Sequence, residues 1–456
     1  MKQGDTISAI ATATGNAGIG IIRISGENAL RVADKIFVAL NHKTLAESSG
    51  GKIIFGHVTA SGGEIIDEAI VLVMRAPKSY TKEDVVEIQC HGGTVALRSV
   101  LARTFEEGAR PAERGEFTKR AFLNGRIDLS QAQAVLDVIQ AKTSAALSVA
   151  QNQLAGKTSK KIRRLRSEIL EIVAHIEALI DFPEEDIPSA ELDKIDEKIS
   201  LQLEEIQDML KNQHGGKILR EGLETAIVGK PNVGKSRLLN FLTESERAIV
   251  TDIPGTTRDS IEEFINIRGI PLKIIDTAGI RNSDNPVEKI GIDRARECAE
   301  NAELILALFD GSRPLDAEDE EIFNLIKSKN AIVLLTKSDL PQVIDREKIK
   351  TRCDKKILSI SAKIGNGIEK LFDTIIKFTG IIDTEPVFIR DEREADILRR
   401  AAKNLEEAQT TVKAGIGIDF ISIDLRAALE LLSELTGESV SEDILNEIFS
   451  KFCIGK

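Results

Sequence analysis

The chain has 456 residues, 42% of them hydrophobic, and its 61 Lys and Arg against 73 Asp and Glu give a formal net charge of −12. That length and apolar content sustain two to four folded domains and exclude a chain that is disordered throughout. No run approaches the ~20 apolar residues of a membrane span, and the first ten residues lack the basic-then-apolar layout of a signal peptide, so no membrane partner and a cytoplasmic location are expected. Cys90, Cys298, Cys353 and Cys453 are scattered with no Cys-x-x-Cys pair. This argues against a zinc ribbon or a disulfide framework and leaves four free thiols. The negative balance requires that any nucleic acid be held by local basic patches, and with no Trp and one Tyr no base-stacking platform is expected.

Taken in chain order, residues 1–118 read as short apolar strands broken by glycine, at 6–13, 19–24, 53–59, 65–74 and 85–90, with a helix over 94–105. They predict a small mixed α+β domain. From 119 to 217 the apolar residues recur at three and four spacing, as in Ala132, Val135, Leu136 and Ile139, which predicts long helices interrupted by the acidic, proline-bounded segment 182–188. From 218 to 380 the pattern becomes strand, loop, amphipathic helix in repetition, with strands at 224–228, 272–275, 304–309, 331–335 and 357–360. This is the signature of a parallel α/β domain. Residues 381–456 turn helical again, over 422–435 and from about 442 to 452. The helices on either side of the α/β block are expected to pack as one domain into which the block is inserted.

The segment Gly229-Lys230-Pro231-Asn232-Val233-Gly234-Lys235-Ser236 follows a β-branched strand and opens a helix, the context that a phosphate-binding loop requires. Its glycines let backbone N–H groups converge on phosphates, Lys235 supplies a point charge, and Ser236 suits Mg²⁺. Four further motifs follow in order: Gly255-Thr256-Thr257-Arg258-Asp259, Asp276-Thr277-Ala278-Gly279, Thr336-Lys337-Ser338-Asp339 and Ser361-Ala362-Lys363. Each meets a need of GTP binding. A loop threonine closes over the γ-phosphate and Mg²⁺, Asp276 holds the metal through water, Gly279 lends its N–H to the γ-phosphate, and Asp339 accepts from the guanine N1 and N2 donors. Thr336 stands where the base-reading motif usually has asparagine, so guanine selectivity is expected to survive through Asp339 with weaker nucleotide binding. Ile280 occupies the position of the water-positioning Gln of Ras-type enzymes, and hydrolysis therefore needs another group. Glu288, in the polar segment 281–288, is the candidate, against the alternative of a solvated helix-start carboxylate. No obvious arginine finger is placed, although Arg258 and Arg281 are near enough in sequence to weigh; a bound monovalent cation would supply the same positive potential.

With its phosphate loop, its Gly-Thr-Thr-Arg-Asp loop, an α/β block flanked by helices and the ending Phe452-Cys453-Ile454-Gly455-Lys456, the chain resembles, over its whole length, the MnmE (TrmE) family of tRNA-modification GTPases. The resemblance implies an N-terminal folate-binding and dimerisation domain at 1–118, a helical domain at 119–217 and 381–456, and an inserted Ras-like G domain at 218–380. It implies a homodimer whose G domains are activated by potassium, acting with the FAD protein MnmG (GidA) in a heterotetramer-type complex. The expected product is an aminomethyl or carboxymethylaminomethyl group at C5 of the wobble uridine of certain tRNAs, built from 5,10-methylene- or 5-formyl-tetrahydrofolate. Residue by residue, it implies K⁺ at Asn232, Thr251, Ile253 and Thr256, Mg²⁺ at Ser236 and Thr257, and a water-orienting role for Glu288. It also extends the GTP contacts to Arg237, Asp252 and Pro254.

For the folate the resemblance implies Arg23, Glu87, Arg126 and Lys456. A carboxylate accepts two N–H bonds from a pterin edge and cations suit a glutamyl tail. Without the resemblance, Arg23 and Glu87 read as exposed strand residues. The glycines at 15, 18 and 20 do not have the spacing of the dinucleotide fingerprint. Cys453 follows a helix with the apolar face Ile444, Leu445, Ile448, Phe449 and Phe452 and reads by itself as a buried structural thiol, whereas the family ending implies a catalytic role near the folate. The basic run Lys157, Lys160, Lys161, Arg163, Arg164 and Arg166 suits tRNA phosphates or a solvated helix face. The competing function is a regulatory or ribosome-assembly GTPase switch without one-carbon chemistry.

Overall fold

The computed structural model describes residues 4–13, 15–181, 189–245, 263–275, 299–381, 389–415 and 417–456. They fall into two compact units, one of Met1–Leu136, Leu154–Arg166 and Leu429–Lys456, the other of Asp137–Gln153 and Ser167–Ala428.

The first unit is built on a seven-stranded sheet of β1 (Ile7–Ile10), β2 (Ala17–Ser25), β3 (Phe37–Ala39), β4 (Lys52–Thr59), β5 (Ile65–Met74), β6 (Val85–Gly92) and β7 (Arg110–Pro111). Its order is β3-β4-β5-β6-β2-β1-β7. Neighbours are antiparallel except β1 and β7. Alternate residues Ile22 and Ile24, Val71 and Val73, and Val86 and Ile88 turn to one face and are buried against Val32, Leu97 and Val100 of the helices Ala29–Ile36 and Thr94–Glu106. Burial contributes about 1.5–3 kcal/mol for each such side chain. Because side chains alternate along a strand, Arg23 and Glu87 turn to the opposite face, and they stand in direct cross-strand register. The helix over 29–36 and the short strands β3 and β7 are additional to the predicted elements.

The C-terminal segment closes this unit. Helix Glu442–Ser450 buries Leu445, Ile448 and Phe449 against Leu129, Ala132 and Leu136, with Phe452 completing the cluster. The chain then runs back along the N-terminal domain, where Gly115 N–H donates to Cys453 O at 3.3 Å and Phe117 N–H to Lys456 O at 3.2 Å. Gly455 has φ +93°, and a Cβ built there would stand 2.1 Å from Ile10 O. Only glycine fits both demands.

The second unit holds a six-stranded sheet of β8 (Leu223–Gly229), β9 (Glu263–Ile267), β10 (Ile270–Ile274), β11 (Leu304–Asp310), β12 (Ala331–Thr336) and β13 (Lys356–Ser359), in the order β13-β12-β11-β8-β10-β9. Five of its strands are parallel, as expected, but β9 is an antiparallel edge strand that the periodicity does not predict. It is joined to β10 by Arg268 and Gly269, at φ +49° and +97°, the positive angles of a two-residue hairpin turn. Thr225 to Val228 are buried without interruption, as in a strand covered on both faces. From β8 the chain passes to β9 and β10 on one side and then to β11 on the other, so the loop after β8 lies at the point where strand order reverses. Such crevices at the carboxyl ends of parallel strands receive ligands.

Helices on either side of the sheet in sequence pack together in this unit. Gln409 of Glu392–Ala414 donates to Ser200 of Ser189–Lys211 at 2.6 Å, and Lys413 pairs with Asp196 at 3.7 Å. Arg390 pairs with Asp137 at 2.9 Å. Among the described residues no helix is long and apolar enough to cross a membrane. The fold predicts that Gly455→Ala loses about 1–2 kcal/mol from the left-handed backbone alone, with the clash at Ile10 in addition. Urea denaturation of the full chain measures this, and an unchanged midpoint would contradict the docking of residues 453–456.

Candidate functional site

The loop after β8 leads into helix Lys235–Ser245, the strand-to-helix context expected of it. Asn232 at φ +62° and Gly234 at φ +106° give the loop its left-handed turns. Lys235 folds back over the loop, donating to Gly229 O at 2.5 Å and to Lys230 O at 2.9 Å. Burial pushes this ammonium down from 10.5 to about 8. Lys230 is buried and bridges to Asp316 and Asp319 at 2.5 and 2.7 Å. Burial opposes its charge, yet the two carboxylates outweigh it and raise its pKa. Asp316 also caps helix Ala317–Ile326, so one ion cluster ties the phosphate loop to the helix after β11.

Thr336 ends β12 opposite Asp310 of β11. Its hydroxyl faces Val233 O at 2.7 Å and Phe309 O at 3.1 Å, and as a single donor it is shared between them. Threonine here braces the phosphate loop against the sheet. Lys337, at φ +57°, pairs with Asp310 at 2.6 Å. Asp339 accepts from Ser361 Oγ at 2.7 Å, and this bond, with the charges of Lys363 and Arg237 behind it, lowers its pKa. Arg237, Asp339, Ser361 and Lys363 are therefore neighbours, with Ala362 partly buried between the last two. Ser236 is half-buried at the helix start. Thr251, Asp252, Ile253, Pro254, Gly255, Thr256, Thr257 and Arg258, then Asp276, Thr277, Ala278, Gly279, Arg281, Glu288 and Cys298, lie outside the described residues.

A second constellation lies on the outer face of the seven-stranded sheet. Arg23 Nε donates to Glu87 Oε1 at 2.8 Å, and both side chains are only 15% exposed, which corrects the reading of them as exposed strand residues. Arg23 also reaches Gly455 O at 3.3 Å, bringing the chain's last residues to the pair. Lys456 has its pKa lowered, first by burial and then by the charge of Arg23, against the opposing pull of Glu87. Arg126 is exposed and stands with its guanidinium 4.7 Å from the ring centre of Tyr80. The four residues implied for folate thus converge. Cys453 is exposed, so the reading of a buried structural thiol is wrong, because residue 453 lies past the end of the packed helix. In the basic run, Arg163 pairs with Asp128 at 2.7 Å and Arg166 with Glu438 at 2.7 Å, leaving less uncompensated charge there than the sequence suggests.

Sequence reasoning missed Lys230, the bracing role of Thr336, and Tyr80. The single tyrosine beside Thr81 carried one signal, its uniqueness in the chain; the other two depend on long-range partners.

Residues 129–453 match the family described as "MnmE helical domain", and residues 6–126 that described as "GTP-binding protein TrmE N-terminus". The chain is 50% identical over 456 residues to "tRNA modification GTPase MnmE" of Clostridioides difficile (strain 630), with 99% of each chain covered. Proteins of the same description from Thermoanaerobacter pseudethanolicus and Desulforamulus reducens are each 47% identical, again with 99% of each chain covered.

The depressed pKa of Lys235 has a testable sign. Phosphates bind the charged ammonium, so GTP binding takes up a proton wherever the free loop is neutral, above about pH 8. GTP affinity is expected to fall by about tenfold per pH unit above that value. Lys235→Arg should abolish this slope. Calorimetry in buffers of differing ionisation enthalpy measures the uptake; a flat profile to pH 9.5 would refute the assignment.

Proposed function

Because this chain belongs to the MnmE family of tRNA modification GTPases, we propose that its GTP hydrolysis is potassium-activated and serves a one-carbon transfer to tRNA. The chain is a GTP hydrolase of tRNA modification. In our reading it works in the cytoplasm as a homodimer with MnmG, which carries FAD, and adds an aminomethyl or carboxymethylaminomethyl group to C5 of the wobble uridine. The observation that supports the one-carbon half most is the convergence of Arg23, Glu87 and the last residues on one sheet face. A GTPase switch has no need of it.

The donor sets fit the proposed ligands. Asn232 is exposed in a left-handed turn of the phosphate loop, and its amide oxygen is a hard donor suited to K⁺. Ser236, at the first turn of the following helix, suits Mg²⁺, and the remaining ligands, Thr251, Ile253, Thr256 and Thr257, are proposed from the family pattern. Glu87, held by Arg23, keeps a second carboxylate oxygen for a pterin N–H, while Lys456 and Arg126 suit a carboxylate tail. A tetrahydrofolate bound there supplies the one-carbon unit. K⁺ at the loop supplies positive potential beside the γ-phosphate, where Ras-type enzymes depend on an arginine. Lys235 neutralises phosphate charge, Asp339 selects guanine, and Glu288 orients the attacking water.

Potassium should accelerate hydrolysis far more than sodium in the wild type, and Asn232→Ala should erase that difference while GTP binding persists. Steady-state phosphate release in the two salts decides it. Equal wild-type rates would remove potassium activation from the account.

A further inference from the structure

The ring of Tyr80 carries two guanidinium groups. Arg23 Cζ stands 5.3 Å from its centre and Arg126 Cζ 4.7 Å, both within the range of a cation–π contact. Two like charges gathered on one ring repel, and Glu87 offsets only the first. Among the described residues the Arg126 guanidinium has no acidic partner, although it is exposed and offers five N–H donors. The ring itself is firmly held. It packs with Ile7, Ala9, Ala112 and Phe117, and its hydroxyl bonds to Thr118 Oγ1 at 2.9 Å. Phe117 adds a second aromatic face to Arg23 at 5.5 Å. An arrangement that pins two arginines against their mutual repulsion, and leaves one without a carboxylate, is completed by an anion from outside.

We propose that Tyr80 is a positioning residue of the one-carbon site, holding Arg23 and Arg126 against one ring as a two-armed receptor for the carboxylate tail of the folate. The inference rests on the folate reading above and adds to it the residue that aligns the receptor. Glu87 remains coupled to Arg23 through its Oε1. The aromatic face performs the positioning and the hydroxyl only anchors it; phenylalanine should therefore replace tyrosine, and leucine should not.

Calorimetry on the full chain tests this with 5-formyltetrahydrofolate and with 6-methyltetrahydropterin, which lacks the tail. Tyr80→Leu should weaken the folate by about tenfold, the worth of a partly desolvated cation–π contact. Tyr80→Phe should bind it like the wild type, and all three proteins should bind the tail-less pterin alike. Unaltered folate affinity in Tyr80→Leu, or an equal loss for both compounds, would overturn the role of the ring. Failure of wild type to bind the folate would instead overturn the folate reading. The receptor is then judged separately: with one Tyr and no Trp, emission excited beyond the phenylalanine absorption band comes from Tyr80 alone. Glutarate, an optically silent dicarboxylate, should alter that emission in wild type and in no measurable degree in Arg126→Ala; a silent wild type would overturn the receptor. Melting temperatures identify a misfolded Tyr80→Leu, in which case the glutarate measurement decides the outcome by itself.

Discussion

Residues 453–456 lie against β1 and the start of helix Glu116–Leu123 through two backbone hydrogen bonds and one glycine, and the placement of Arg23, Glu87 and Lys456 depends on this seam. Gly455 meets Ile10 O too closely for any side chain, while its own carbonyl receives Arg23. Arg23 in turn holds Glu87 across the sheet. A site made from positions 23, 87 and 456 thus has its geometry set by main-chain docking. The burial of Phe449 and Phe452 behind it supplies the apolar driving force.

The nucleotide loop follows a related logic in the second unit. Backbone donors that converge on phosphate are useful only if they are held in place beforehand. Three struts do so: the Lys235 ammonium on two loop carbonyls, Lys230 on Asp316 and Asp319, and the Thr336 hydroxyl on Val233 O. The last strut gives the departure from the usual asparagine a physical meaning, since a hydroxyl supplies the loop bond at that position. Asp339 is held separately, by Ser361 Oγ, and its position is set from the β13 side.

Much of this was legible in the chain because local rules carry it. Period-two alternation places Ile22, Ile24, Val86 and Ile88 on one sheet face and thereby Arg23 and Glu87 on the other. The glycines and lysine of the phosphate loop sit in the expected strand-to-helix context. What escaped depends on distant partners. Lys230 reads as one more loop cation until Asp316 and Asp319 enclose it. Edge strand β9 alternates too weakly to be told from the sequence before it, and only the Arg268-Gly269 turn marks it. Tyr80 lies between serine and threonine in a segment with no periodicity, and its two arginines are 57 and 46 positions away. The reading of Cys453 as a buried thiol fails for a simpler reason, since the apolar helical period does not continue past Ser450, where the helix stops.

We propose that one chain joins GTP hydrolysis to one-carbon chemistry at its C-terminal segment, and Cys453→Ser tests this most directly. The thiol is exposed, so a hydroxyl of nearly equal size should leave the melting temperature unchanged, and GTP hydrolysis should persist. Wobble-uridine modification, measured by nucleoside analysis of tRNA treated with the variant and MnmG, should be lost, because a hydroxyl is far less acidic and less nucleophilic than a thiol near neutral pH. A stable variant that modifies tRNA fully would contradict a chemical role for Cys453 and, with it, the placement of the one-carbon reaction at this seam.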